Sequence, residues 1–252
     1  MDLVQTSLPK VEFLIAGVQK GGTTALHSFL SQHPRIYLPA YKEVHFFDDE
    51  LQEWQQPDYS QFHSHFSARQ KGQIAGEATP IYSYWEPSAL RIQKYNPEIK
   101  LVFLLRNPVE RAYSHWAMEF GRGTETVDFA TAIHGGRSRL VLGQHRIFSY
   151  VERGFYSAQI DRFTALFPST QLLFLKTEDL AERQENTLDL VCDLVGVEPF
   201  ADYPPARRVL PHEPTKLPSP TTRDSAYLRD LFRDDIERTQ HLTGLDLAAW
   251  LQ

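Results

Sequence analysis

The 252-residue sequence has one cysteine, Cys192, so no disulfide can close within the chain. That thiol lies in the apolar run Leu188 to Val195, the setting of a small core side chain rather than of a nucleophile. Long hydrophobic runs are also missing, because Lys100, Arg106 and similar charges interrupt each one before membrane-spanning length. Met1 to Lys10 has no apolar signal region. These absences lead to the expectation of a cytoplasmic protein, or of a soluble catalytic domain cut from a longer anchored one. Positive charge is not in surplus: 26 Lys and Arg against 32 Asp and Glu give a formal charge of −6, which counts against nucleic acid as a partner. An anionic ligand must therefore meet a local cluster of cations. No internal repeat or domain boundary is visible.

Hydrophobic residues at 42% and charged residues at 23% describe ordinary globular material, enough for one sizeable core. Val11–Gly17, Ile74–Glu77, Leu101–Leu105 and Gln171–Lys176 read as buried strands. Thr23–His33, Pro108–Phe120, Phe155–Phe167, Asn186–Val195 and Arg223–His241 read as helices. Their alternation predicts a single α/β domain over 1–252, with a central parallel sheet flanked by helices. Asn107-Pro108-Val109-Glu110 is a helix start in which Asn107 caps and Glu110 can complete a capping box. Residues 1–10 read as a tail. Val197 to Thr222, rich in proline, reads as a long irregular loop.

Between the first strand and first helix lies Gly17-Val18-Gln19-Lys20-Gly21-Gly22-Thr23-Thr24. Glycines allow the backbone N–H groups to turn inward, the helix N-terminus favours an anion, and Lys20, Thr23 and Thr24 add donors. The predicted feature is a P-loop-like phosphate-binding loop. It departs from the Walker A pattern, since Thr23 stands where that motif has its lysine. The strand Leu101–Leu105 runs into Arg106 rather than into a metal-holding aspartate. Both departures disfavour a magnesium-dependent kinase or NTPase, which remains the alternative beside a catalytically silent nucleotide-binding module. No metal site is expected, as His63 and His65 have no matching ligand set.

Gly17–Thr24, Lys42-Glu43-Val44-His45-Phe46-Phe47-Asp48, and Leu105-Arg106-Asn107-Pro108-Val109-Glu110-Arg111 through Ser114 together resemble the sulfotransferases that use 3′-phosphoadenosine 5′-phosphosulfate (PAPS). The likeness is greatest to heparan sulfate 3-O- and N-sulfotransferase domains and their bacterial relatives, and runs from about Val11 to Leu180. It implies PAPS as co-substrate, with Gln19, Lys20, Gly21, Gly22, Thr23 and Thr24 around the 5′-phosphosulfate. Arg106 and Ser114 would hold the 3′-phosphate. Position agrees: Arg106 ends a parallel strand, where such sheets bind ligands, and Ser114 is seven residues past Asn107, on the same helix face.

The resemblance assigns the general base to Glu43 and makes Lys20 the group that stabilises the departing oxygen. The helix over Thr23–His33 carries the chain about 16 Å from the loop, and ten extended residues can bring it back roughly 33 Å. Taken alone, Glu43 reads as a surface carboxylate. His45 either assists transfer or is a packed structural histidine, and Asp48 reads as a loop-ordering residue. Gly154-Phe155-Tyr156 matches a family segment whose aromatics either contact adenine, Tyr156 among them, or pack the helix. Lys216 is the candidate basic residue reaching the donor from the proline-rich loop. Gly76-Glu77-Ala78-Thr79-Pro80 departs from the animal heparan enzymes, which carry lysine in place of Ala78, though Glu77 and Thr79 still fall at the cleft. Those 3-O-enzymes also close a disulfide that one cysteine cannot reproduce. The expected acceptor is a small molecule or carbohydrate offering a hydroxyl or amine.

Overall fold

The computed structural model describes residues 10–141, 145–206, 217 and 219–252. In chain order the main elements are β1 (Phe13–Gly17), α1 (Thr23–Leu30), β2 (Ile36–Tyr37), α2 (Ser60–Ser64), β3 (Ile74–Ala78), α3 (Ser88–Tyr95), β4 (Lys100–Leu105), α4 (Pro108–Gly121), α5 (Phe129–Val141), α6 (His145–Phe148), α7 (Tyr156–Thr164), β5 (Leu172–Lys176), α8 (Thr177–Glu182), α9 (Gln184–Val195) and α10 (Thr222–Thr243). The five strands form one parallel sheet in the order β2-β3-β1-β4-β5.

Both faces of the sheet are covered, which is why its strands read as nearly unbroken apolar runs. The pleat sends alternate side chains to opposite faces. Leu14, Ala16, Leu101, Phe103 and Leu105 enter one core with Trp116 of α4, Phe163 of α7 and Phe232 of α10. Phe13, Ile15, Val102 and Leu104 enter the other, with Leu26 and Phe29 of α1 and Val191 and Cys192 of α9. Cys192 is fully buried, and burial pushes its thiol up to about 11.

Helix α1 stops at Leu30, three residues before the predicted end, and Ser31–His33 form a closing turn. At α4 the side chain of Asn107 accepts from the Val109 N–H, as expected. The capping box does not form, because Glu110 turns to the guanidinium of Arg106 at 3.0 Å. From Val197 to Ala206 the chain carries no helix or strand; the remainder of the proline-rich loop to residue 216, including Lys216, lies outside the described residues. Among the described residues no helix is long and apolar enough to cross a membrane.

Candidate active site

The phosphate loop leaves the carboxyl end of β1 at the sheet's centre. Strand β1 leads out to the β2 edge while its neighbour β4 leads to the β5 edge, so a crevice opens between their carboxyl ends, where open α/β sheets take ligands. The Val18 N–H donates to the Leu104 carbonyl at 3.1 Å and the Gly21 N–H to the Val18 carbonyl at 2.9 Å, which presses the loop onto β4. A Cβ on Gly21 would lie 2.1 Å from the Leu104 oxygen, so only glycine fits. Gly22 caps α1 at φ 92°, and among the described residues no side-chain cap hydrogen bond closes the helix N-terminus that carries Thr23 and Thr24. The Thr177 hydroxyl, 2.6 Å from the Gly21 carbonyl and 2.9 Å from that of Leu105, ties the loop to two strands at once.

Cations gather around this loop. Lys20 Nζ touches the Met118 sulfur at 3.5 Å. Burial and then the charges of Arg106 and Arg122 lower the Lys20 pKa, against a smaller opposing pull from Glu119 and Glu43. Arg106 Nη1 reaches the Lys20 carbonyl at 3.4 Å. Gln19 accepts from Arg153 at 2.6 Å, and burial, then Arg111, pushes Arg153 down to about 9. Among the described residues Arg111 Nε and Nη1 and both ring nitrogens of His115 have no hydrogen-bond partner. Burial and the charges of Arg153, Arg111 and Lys20 keep His115 well below the usual imidazole range. Arg111, a buried cation with two unmatched donors, adds to the positive charge near the loop, while His115 stays neutral.

Ser114 sits half-buried two turns along α4. Tyr156 requires a correction. Its ring is enclosed, its hydroxyl donates to the Arg106 carbonyl at 2.7 Å and its N–H to Asp235 at 2.7 Å. It therefore braces Arg106 from behind and offers no free face for stacking on a base.

The segment from Glu43 to Phe47 is suspended from the end of β3. Its consecutive N–H groups donate to the Ala78 carbonyl (3.1 Å), Glu77 Oε1 (3.3 Å), Thr79 Oγ1 (3.4 Å) and, for Phe46 and Phe47, the Tyr82 hydroxyl (3.1 and 3.4 Å). Glu43 and His45 both adopt left-handed backbone, φ 63° and 56°, a conformation unusual for such residues. The side chains form an alternating string of charge. Lys42 Nζ lies 2.8 Å from Glu43 Oε1, Glu43 Oε2 lies 3.6 Å from His45 Nε2, and His45 Nδ1 lies 3.0 Å from Asp48, which also binds Arg146. Burial pushes Glu43 upward, but the His45 imidazolium and Lys42 outweigh it and hold the carboxyl at about 2. Asp48, then Glu43, raises His45 to about 9. His45 is half-exposed and ion-paired, not packed in the core, and buried Asp48 orders the loop.

Beside His45 lies a cleft of about 430 Å³ lined by Val44, His45, Asp49, Glu50, Trp85 and Arg146. Within it Glu50 takes a two-point contact from Arg91 at 2.9 Å and accepts from the Trp85 indole at 2.5 Å. His63 hydrogen-bonds the Tyr95 hydroxyl at 2.9 Å, a structural role. Sequence reasoning missed Thr177, Arg153, Met118 and Arg146, which stand far along the chain from the groups they touch and belong to no motif.

A central phosphate loop on a parallel sheet, with an arginine in place of a carboxylate at the end of the adjoining strand, defines an α/β protein of the phosphate-loop class. Residues 10–203 match the family described as the sulfotransferase domain, and the chain belongs to that family. It is 31% identical over 186 residues to heparan sulfate glucosamine 3-O-sulfotransferase 6 of Homo sapiens, covering 73% of this chain and 52% of that one. It is 27% identical over 210 residues to the bifunctional heparan sulfate N-deacetylase/N-sulfotransferase 2 of Mus musculus, covering 78% of this chain and 23% of the relative. The chain thus spans about half the length of the 3-O-sulfotransferase. The crystal structure of a sulfotransferase from Alicyclobacillus acidocaldarius superposes with a TM-score of 0.85 at 26% identity, over 97% of this chain and 100% of that one.

Proposed function

We propose that this sulfotransferase moves a sulfuryl group from PAPS to a hydroxyl or amine of a carbohydrate or glycosylated metabolite, without a metal ion. The observation that carries the reading is convergence: the Lys20 loop after β1, Arg106 after β4 and Glu43 beside the end of β3 meet at one edge of the sheet. The chain's residues fit a nucleotide with phosphate at both ends, since an uncapped helix N-terminus, Lys20 and Arg106 supply cationic contacts that nearby carboxylates only partly match.

In this reading Gly21, Gly22, Thr23 and Thr24 hold the 5′-phosphosulfate, while Arg106 and Ser114 hold the 3′-phosphate. Glu43 takes the acceptor's proton as the acceptor oxygen or nitrogen bonds to sulfur. The bond from sulfur to the bridging oxygen breaks, and Lys20 stabilises the charge left on that oxygen. Alignment and electrostatic stabilisation then carry the step. His45, as imidazolium, orients Glu43. Carbohydrate is favoured as acceptor because the relatives' names specify heparan sulfate. Ala78, where animal heparan enzymes have lysine, points away from that polymer itself.

The test is transfer of labelled sulfate from PAPS in excess chelator, with binding of 3′,5′-adenosine bisphosphate measured alongside. Glu43→Gln should lower kcat by about 10²–10⁴-fold with nucleotide binding retained. Full activity in that variant would remove Glu43 as base, and a strict need for magnesium would remove the metal-independent mechanism.

A further inference from the structure

We propose that Glu77, together with Thr79, is a positioning residue that fixes Glu43 and His45 in their working geometry; this rests on the reading of Glu43 as base. Glu77 is the penultimate residue of β3, opposite Leu14 of β1, and is 1% exposed. Its Oε1 receives both the Val44 N–H and the Thr79 hydroxyl, and Thr79 Oγ1 in turn receives the His45 N–H. One carboxyl oxygen thus secures, directly or through Thr79, the peptide groups between two left-handed residues. Without it, Val44 loses the only acceptor described for its N–H, and a turn in disfavoured backbone loses its central support.

What this role needs is an acceptor oxygen, not a negative charge. Glu77 Oε2 has no partner among the described residues, and burial raises the carboxyl to about 7 against smaller opposing effects of Thr79, Val44 and Lys42. A neutral group at this place avoids a second carboxylate charge behind Glu43. Glutamine keeps the acceptor oxygen; alanine does not.

The experiment compares Glu77→Ala with Glu77→Gln, measuring kcat, the KM for PAPS, and amide hydrogen exchange over residues 43–47. Displacement of a catalytic group by about 1 Å can cost about 10²-fold, so Glu77→Ala should lose roughly that in kcat with KM little changed and exchange over 43–47 accelerated. Glu77→Gln should recover to within about threefold of the parent, with exchange restored. Undiminished kcat in Glu77→Ala overturns the proposal, as does a glutamine variant as impaired as alanine. Should Glu77→Ala fail to fold, Thr79→Val, which removes the acceptor of the His45 N–H, takes its place with the same expected loss, and unchanged kcat there is equally fatal. Failure of the base assignment is distinguishable: Glu43→Gln would then stay active, while exchange over 43–47 would still report whether Glu77 holds the turn.

Discussion

Lys42 grips the oxygen that Glu43 needs for its proposed task. A carboxyl held at about 2 is ionised at neutral pH but is a weak base, and a general base works best with a pKa near the working pH. The acceptor must therefore loosen the 2.8 Å Lys42 contact as it enters. Removing that contact leaves His45 alone to oppose burial, so the carboxyl rises in Lys42→Met. Glu43 accepts a proton only when ionised; accordingly the acid limb of the kcat/KM profile should move to higher pH in that variant. An unmoved limb would mean that Lys42 does not tune Glu43. At this scale the motif residues Lys20, Glu43, His45 and Arg106 were legible, because each lies in a short recognisable segment. Their partners were not. Arg146 meets Asp48 across 98 residues of sequence, and Arg153 meets Gln19 across 134. For Tyr156 the sequence left adenine contact and helix packing both open, and the outcome depends on α10 folding back to supply Asp235.

Among the elements, the loop after β1 tolerates the least change. Gly21→Ala places a methyl group against the Leu104 carbonyl, which is backbone and cannot swing aside. Overpacking of this kind costs about 1–3 kcal/mol; urea unfolding should show a loss of that order, with nucleotide affinity reduced as well because the loop must lift off β4. Wild-type stability and affinity in Gly21→Ala would contradict the described loop. Strands β1, β3, β4 and β5 were readable as apolar runs, α4 from its cap, and α10 as a charged helical stretch. Strand β2 is two residues long, too short for any period to register. Helix α5 carries Gly135 and Gly136 at its middle, which hide its pattern, and α3 is only eight residues long. The expected capping box at α4 failed because Glu110 had a better partner in a full cation, Arg106, than in a backbone N–H.

For the molecule as a whole, the parallel α/β architecture followed from alternation of elements, but the order β2-β3-β1-β4-β5 did not, because sequence does not say on which side of β1 each strand is added. That order brings the loops after β1 and β4 together, so a nucleotide gripped by both should clamp the sheet's centre. At about 100 times Kd, binding stabilises the folded state by about 2.7 kcal/mol, or roughly 5–10 °C in Tm for a chain of this size. Calorimetry should find such a shift with 3′,5′-adenosine bisphosphate and a much smaller one with adenosine 5′-phosphate; equal shifts would mean that Arg106 and Ser114 do not read the 3′-phosphate. The string from Lys42 to Arg146 has a final consequence. Three cations alternate with two carboxylates in it, and Lys20, Arg111 and Arg153 add buried positive charge near the phosphate loop, while the chain as a whole carries −6. The protein is thus electrically lopsided, an acidic body with a basic mouth, so a dianion drifting past is turned away by the flanks and drawn in at the opening.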